Sequence, residues 1–325
     1  MMALPAQKAP PNPIAWAMLR MRPEDLPAPV AAPQTPQTMR LNRLRQIHEY
    51  MNIGPMFLSS KSNQTLAIGP LLPEFGHELF VAAMARYRAQ SYKGTVVCTR
   101  KGREALWTDF AKVIPHDMDC ESSVVSPRNF ADVPEDKLAF WRQMVCGAPF
   151  PVCEYFSGMK GIAKFIIYGH ADEKYDGVTV IHARSRNHVH ARNWPITNWT
   201  KLVAGMREKG LADRIVCIGS PGGSLLVPGC EDRRGVSLQG QMNILRSARM
   251  AVGPSSGPMH LASLCLCPHV VWCGGARAEH TAVVARYKVH WNPHGTSVMA
   301  MPYNSWRPEP GRVIEWVEAF AETLP

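Results

Sequence analysis

Between residues 178 and 274, short apolar runs alternate with longer amphipathic ones. The runs "VTVIHA", "RIVCIG", "MAVG" and "HVVWCG" have the length and β-branched content of buried strands. Between them, "ITNWTKLVAGMREKG", "SLQGQMNILRSAR" and "GPMHLASLCL" carry apolar residues at helical spacing. Thr197 or Asn198 lies near the start of the first of these helices, and Gly210 is placed to stop it. Strands joined through helices cannot be antiparallel hairpins, so this alternation predicts a parallel sheet with helical crossovers.

A less regular version of the pattern precedes it. "TLAIG", "GTVVCT" and "AKVIP" read as strands, and "KGREALWTDF" as a helix. "PLLPEFGHELFVAAMARYRAQ" reads as a loop turning into a helix, with Leu79, Ala82, Ala83 and Tyr87 on one face. "PEDKLAFWRQMV" predicts a helix, and "IAKFIIYG" suits either type. The polar segment "HADEKYDG", His170 to Gly177, marks the junction between the halves. At the end of the chain, "RVIEWVEAFAETL" predicts a helix with Val313, Trp316, Val317 and Phe320 on one stripe. The N-terminal 37 residues are rich in proline and alanine and read as a tail that cannot offset its ordering entropy by burial. "MRLNRLRQIHEYM", residues 39–51, reads as a basic helix. The expected division is a tail and basic helix over 1–62, one α/β domain over 63–175, a second over 176–305, and a terminal helix over 306–325.

At 325 residues and 46% hydrophobic content, the chain can bury two cores. Its formal net charge of +10 favours polyanionic or phosphorylated partners. The nine cysteines are scattered, with no Cys-x-x-Cys, which points to reduced thiols and a cytoplasmic location rather than a disulfide framework or zinc site. No uninterrupted apolar run approaches the ~18 residues of a membrane span.

Three loops follow strands of the second half. "GPSSGPMHLA" turns from "MAVG" through Ser255 and Ser256 into a helix at Gly257, where unpaired N–H groups and a partial positive charge suit an anion. An ordinary serine cap would look the same. "IHARSRNHVHARNWP" carries Arg184, Arg186 and Arg192, with His182, His188 and His190, and no acidic residue. Guanidinium forks match phosphate oxygens in pairs, so this loop fits a diphosphate, the alternative being a solvated basic loop. His188 and His190 have no evident third ligand for a metal. "CIGSPGGSLL" places Gly219, Gly222 and Gly223 after a strand, but matches neither the dinucleotide fingerprint nor the P-loop.

Together, Arg192-Asn193-Trp194-Pro195, the "GVSLQG" helix start and Ser256-Gly257-Pro258-Met259-His260-Leu261-Ala262 resemble heptosyltransferase-like glycosyltransferases of family 9. The resemblance covers residues 178–302. It implies the GT-B architecture: two Rossmann-like α/β domains with parallel sheets facing across a cleft, closed by a C-terminal helix. It also implies a nucleotide-diphosphate sugar as donor, bound by Arg184, Arg192, Gly219, Ser255, Ser256, Gly257, Met259 and His260. The family has an acidic residue where this chain has Ser255, which leaves open the donor's identity and whether the chain is active. Glu231 or Asp232 is a candidate for the ribose contact in its place.

The family's first loop supplies a catalytic base. Here that loop is "GPLLPEFGHELF", where Glu74 is the candidate base and His77 the next. Favouring a helix N-terminus is the plain alternative for Glu74. Asp117-x-Asp119 is a DxD, yet it lies in the half away from the donor signals, so neither a metal nor any other cofactor is expected. The resulting expectation is an inverting, metal-independent glycosyltransferase. The acceptor is a phosphorylated glycan or a nucleic acid, including a hydroxylated DNA base presented by flipping. Two other readings stay open: a nucleotide-sugar epimerase or hydrolase using His182 or His260, and a non-catalytic module binding nucleotide or nucleic acid.

Overall fold

The structure, a computed structural model, describes residues 61–68, 71, 74–116, 163–186, 190–274, 287 and 291–324. The proline-rich tail, the helix expected at 39–51, Asp117-x-Asp119, "PEDKLAFWRQMV" and His188 lie outside these residues.

The first sheet is parallel, in the order β1 (Lys61–Ile68), β2 (Tyr92–Arg100), β3 (Lys112–His116). Helix α1 (Phe75–Ala89) joins β1 to β2. It is buried at Leu79, Val81, Ala82, Ala83, Met84 and Ala85, so it is covered on more than the one face expected. The helix expected in "KGREALWTDF" is instead a single 3₁₀ turn at Glu104–Leu106. Gly102 ends β2 with a left-handed φ of 88°, and the Arg86 guanidinium takes the Leu106 carbonyl at 3.0 Å, which a longer helix would need for itself.

The second sheet has six parallel strands in the order β6-β5-β4-β7-β8-β9. They are β4 (Thr179–Ile181), β5 (Ile215–Cys217), β6 (Glu231–Asp232), β7 (Met250–Pro254), β8 (His269–Cys273) and β9 (Val298–Pro302). Four of these strands are the ones expected; the short β6 has no apolar residue, and the apolar β9, VMAMP, is half-buried and follows no helix that the sequence marks. Helices α2 (Ile196–Glu208), α3 (Leu238–Ser247), α4 (Gly257–Leu264) and α5 (Pro310–Ala321) complete the half. Helix α2 begins at Ile196 after Pro195, and Gly210 follows its end with φ of 64°. No helix among the described residues is long and apolar enough to cross a membrane.

From β4 the chain moves outward to β5 and β6, then returns to the other side of β4 for β7. The connections leaving β4 and β7 therefore diverge, which opens a crevice at their carboxyl ends. Residues 163–170, which suited either helix or strand, form neither. They run past the helices, with Lys164 N–H bonded to Ala83 O (2.8 Å) and Tyr168 N–H to Leu264 O (2.9 Å). One apolar cluster includes Leu79 and Ala82 of α1, Val97 of β2, Met242 of α3 and Leu261 of α4, so the two sheets share a core.

Candidate functional site

The loop after β4 is shaped by its own side chains. Asn193 Oδ1 accepts hydrogen bonds from the Arg184 guanidinium and the Arg186 N–H, while Asn193 Nδ2 donates to Arg186 O at 2.8 Å. Ser185 N–H bonds to Gly223 O (2.9 Å) and Leu225 N–H to Ala183 O (2.7 Å), fastening the arginine loop to the glycine loop after β5. Trp194 supports this from below: its indole is 1% exposed, donates to Pro308 O at 2.9 Å, and packs edge-on against Trp199 and Trp272.

Arg184 is buried, and desolvation, aided by Arg192 and Arg186, pushes its guanidinium down to about 10, so it stays charged at neutral pH. Arg192 donates to the Ser255 carbonyl and lies over the Trp306 ring, 4.3 Å from its centroid. Burial lowers its pKa also. These two guanidiniums, the mouth of α4 and residues of the first half line one cleft of about 680 Å³.

At the α4 mouth, Ser256 occupies the N-cap but makes no capping bond to its own helix. Its hydroxyl meets His182 Nδ1 at 3.0 Å instead. Pro258 has no N–H, so the first turn presents the amides of Gly257 and Met259. Ser255, Ser256, Gly257 and His260 line the cleft, as does Gly219 from the loop after β5. Met259 is different: its side chain is 1% exposed and belongs to the apolar core, packed so closely under β7 that a Cβ on Gly253 would lie 3.0 Å from its sulfur. The expected donor contact of Met259 is thus reduced to its backbone, because its side chain points into the core. His260 stacks on Trp291 with ring centroids 3.8 Å apart.

Across the cleft stands the start of α1, carrying Glu74 and His77. Glu74 Oε1 pairs with the Arg186 guanidinium at 3.1 Å. Gly76 and Gly257 abut: a Cβ on Gly76 would lie 3.2 Å from Gly257 Cα, and one on Gly257 would lie 2.9 Å from Gly76 N. Two helix N-termini, each with its partial positive charge, therefore converge here. Lys101, Arg103, Arg184, Arg186 and Arg192 also line the cleft, and Glu74 is the single carboxylate among its described lining residues. Glu78, four residues on, is fully buried and spoken for by Arg103, Thr99 and Trp107.

Several contributors escaped the sequence reading. Arg186 belongs to the loop expected to hold a diphosphate, but its pairing with Glu74 has no local signal, and Asn193 enters only as part of a motif. Lys101, Arg103, Trp291 and Trp306 gave no local signal. The α3 start was visible as a helix start, and Ser237, which caps it by accepting from Gly240 N–H at 3.1 Å, lines the cleft with Leu238 and Gln241. Glu231 and Asp232 do not line it. Arg214 and Arg233 pair with Glu231, and Arg234 holds Asp232 down at about 2, so the expected ribose contact falls to neither. Among the described residues no group of three or more His, Cys, Asp or Glu could hold a metal ion.

No family model matches the chain, and no curated protein matches it. Among solved structures, it is similar to a glycosyl transferase family 9 protein from Veillonella parvula DSM 2008, with a TM-score of 0.55 and 10% identity, over 81% of this chain and 99% of that one. It is also similar to the E. coli ADP-heptose LPS heptosyltransferase II (TM-score 0.48, 13% identity, 80% of this chain and 99% of that one). A third is the E. coli heptosyltransferase WaaC with ADP (TM-score 0.42, 12% identity, 79% and 99%). At these identities the likeness is one of fold: the α/β arrangement of parallel sheets expected from the sequence is the one that the family 9 structure has.

Proposed function

We propose that the chain is an inverting glycosyltransferase that moves a sugar from a nucleotide-diphosphate donor to an acceptor hydroxyl. The observation that carries this reading is the charge layout of the cleft: five cationic side chains and two helix mouths against one carboxylate among the described lining residues, Glu74, with Arg103 paired as well to the buried Glu78 behind it. A diphosphate supplies the negative charge this layout lacks.

In this reading the acceptor oxygen attacks the anomeric carbon from the face opposite the diphosphate. The bond from that carbon to the phosphate oxygen breaks, and its electron pair leaves with the diphosphate. A single displacement inverts the centre. The acceptor's proton passes to a Glu74 carboxylate oxygen, with His77 the next candidate base. Arg184, Arg192 and the amides of Gly257 and Met259 stabilise the departing charge. Lys101 and Arg103, on the side of the cleft that α1 and β2 build, favour an acceptor with negative charge, either a phosphorylated glycan or a nucleic acid. The six free cysteines among the described residues suit a reducing compartment, which supports a cytoplasmic reaction.

The test is mass spectrometry of reactions with a panel of nucleotide sugars and both acceptor classes. Arg184→Ala and Arg192→Ala are expected to weaken donor binding by about tenfold or more, as the loss of a charge-assisted contact implies. Glu74→Gln is expected to spare binding and slow turnover by about 100-fold or more. Full turnover in Glu74→Gln would remove the base assignment. A protein that consumes no nucleotide sugar yet binds nucleic acid would overturn the enzyme reading.

A further inference from the structure

His182 takes no part in the steps above, yet it occupies the centre of the site. It follows β4 directly, is 5% exposed, and lines the cleft. Its Nδ1 faces the Ser256 hydroxyl at 3.0 Å. Among the described residues its Nε2 has no partner, and it is not one of the buried polar atoms left unpaired, so it opens toward the cleft. Gly219 leaves the ring its room: with φ of 118°, a Cβ there would lie 3.1 Å from His182 Cδ2 and 2.7 Å from Ser224 Oγ.

We propose that His182 is a neutral hydrogen-bond donor to a phosphoryl oxygen of the ligand, with its tautomer set by the Ser256 hydroxyl. This rests on the reading of the cleft as a diphosphate site. A bare Nε2 lone pair would repel an anion, whereas an Nε2–H attracts it. That tautomer requires Nδ1 to accept, and Ser256 has one hydroxyl hydrogen to give. The arrangement also explains why the N-cap serine makes no bond to its own helix: its hydrogen bond is to His182, which leaves the first-turn amides for the ligand.

The charge around the ring favours a neutral donor. Arg184 and Arg186 face it from its own strand end, and Arg192 follows from the 3₁₀ turn His190–Arg192. Helix α4 presents Ser256 and His260, and the loop after β5 presents Ser220 and Ser224, none of them anionic. Glu74, the one carboxylate among the described residues that line the cleft, is paired with Arg186. Burial first, then Arg184 and Arg186, hold the imidazole down at about 3. A further cation here would add repulsion, while a neutral N–H adds a directed bond without it.

The experiment uses the full-length protein with ¹⁵N-labelled histidine and two probes, inorganic pyrophosphate and a nucleoside diphosphate. The expected His182 spectrum is that of the neutral Nε2–H tautomer from pH 5.5 to 8. Either probe should shift Nε2–H and leave Nδ1 in place, and Ser256→Ala should release the tautomer. By calorimetry, His182→Leu should weaken pyrophosphate about 3- to 10-fold, the equivalent of one neutral hydrogen bond, and His182→Gln should recover part of it. An imidazolium at pH 6, an Nδ1–H tautomer, or an Nε2 unmoved by bound pyrophosphate overturns the proposal. If Nε2 stays unmoved while Arg184→Ala abolishes binding, His182 is wrong and the diphosphate site stands. If pyrophosphate and nucleoside diphosphate both fail to bind the unmodified protein, both readings fall.

Discussion

The side chain of Asn193 does three jobs at once, and each depends on the others. It accepts from a buried guanidinium, accepts from the Arg186 N–H, and donates to the Arg186 carbonyl. Asn193→Ala would leave Arg184, 4% exposed, without this acceptor and release the backbone from which Arg186 reaches Glu74. A hydrogen bond to a charged group is worth about 1.5–3 kcal/mol, so nucleoside diphosphate affinity should fall by roughly 10- to 100-fold. Isothermal calorimetry would show it, and unchanged affinity would mean the loop is held by the glycine loop alone. The residue scale also shows where sequence reading stops. The arginines were legible because charge in an acid-free loop is conspicuous. Asn193 was not, since an amide's value lies in three partners that only the folded loop assembles. Trp194, the most conspicuous residue of its motif, serves the core rather than the ligand.

Among the elements, the decisive contact is between the first turns of α1 and α4. Both ends are partially positive, and they approach because Gly76 and Gly257 carry no side chains. Gly257→Ala would place a Cβ 2.7 Å from Phe75 Cδ1 and 2.9 Å from Gly76 N, and the second neighbour is backbone that cannot swing aside. Overpacking of this kind costs about 1–3 kcal/mol, so the urea midpoint should fall and diphosphate binding should weaken with it. Gly311→Ala, in α5, meets nothing within 4 Å and serves as the contrast, with stability unchanged or raised by up to about 1 kcal/mol. Equal midpoints for the two variants would mean the helix starts are free to separate. The glycine-rich mouth of α4 was legible as a place where backbone can approach an anion. That the same glycine admits a second helix was not, because no local pattern records which distant segment will face it. The misread of "KGREALWTDF" has the same origin: its Leu106 carbonyl is claimed by Arg86, a side chain from another helix.

For the molecule as a whole, the two α/β halves read from the sequence share one apolar cluster, and their junction is held by polar bonds as well. Arg86 of α1 bonds Asp109, the Leu106 carbonyl and the Tyr168 hydroxyl, and Tyr168 N–H in turn reaches Leu264 O of α4. Stability should therefore respond as one unit to groups buried in either half. Buried histidines of both halves make that testable. His182 at the cleft and His269 at the start of β8 are buried and held at about 3 and about 4, in both cases chiefly by desolvation. Burial also lowers His116 in the first half. In the unfolded chain each would titrate near 6.5. Below that value the unfolded chain binds protons that the folded one refuses, so the contribution is complete above pH 6.5 and is lost as pH falls toward the folded values. At pH 5.5 each of the rings of His182 and His269 is expected to cost about 1.4 kcal/mol, so unfolding free energy should drop by roughly 2–3 kcal/mol between pH 7.5 and 5.5. The carboxylates held low by partners, Glu231 and Asp232, lose their contribution only at lower pH, which keeps this window for the imidazoles. Urea titrations at the two pH values would measure the drop, and His269→Gln should remove about half of it without touching the cleft. Identical stability at pH 7.5 and 5.5 would show that these rings take up protons in the folded state, and the neutral donor assigned to His182 would then lose its support along with the pH dependence.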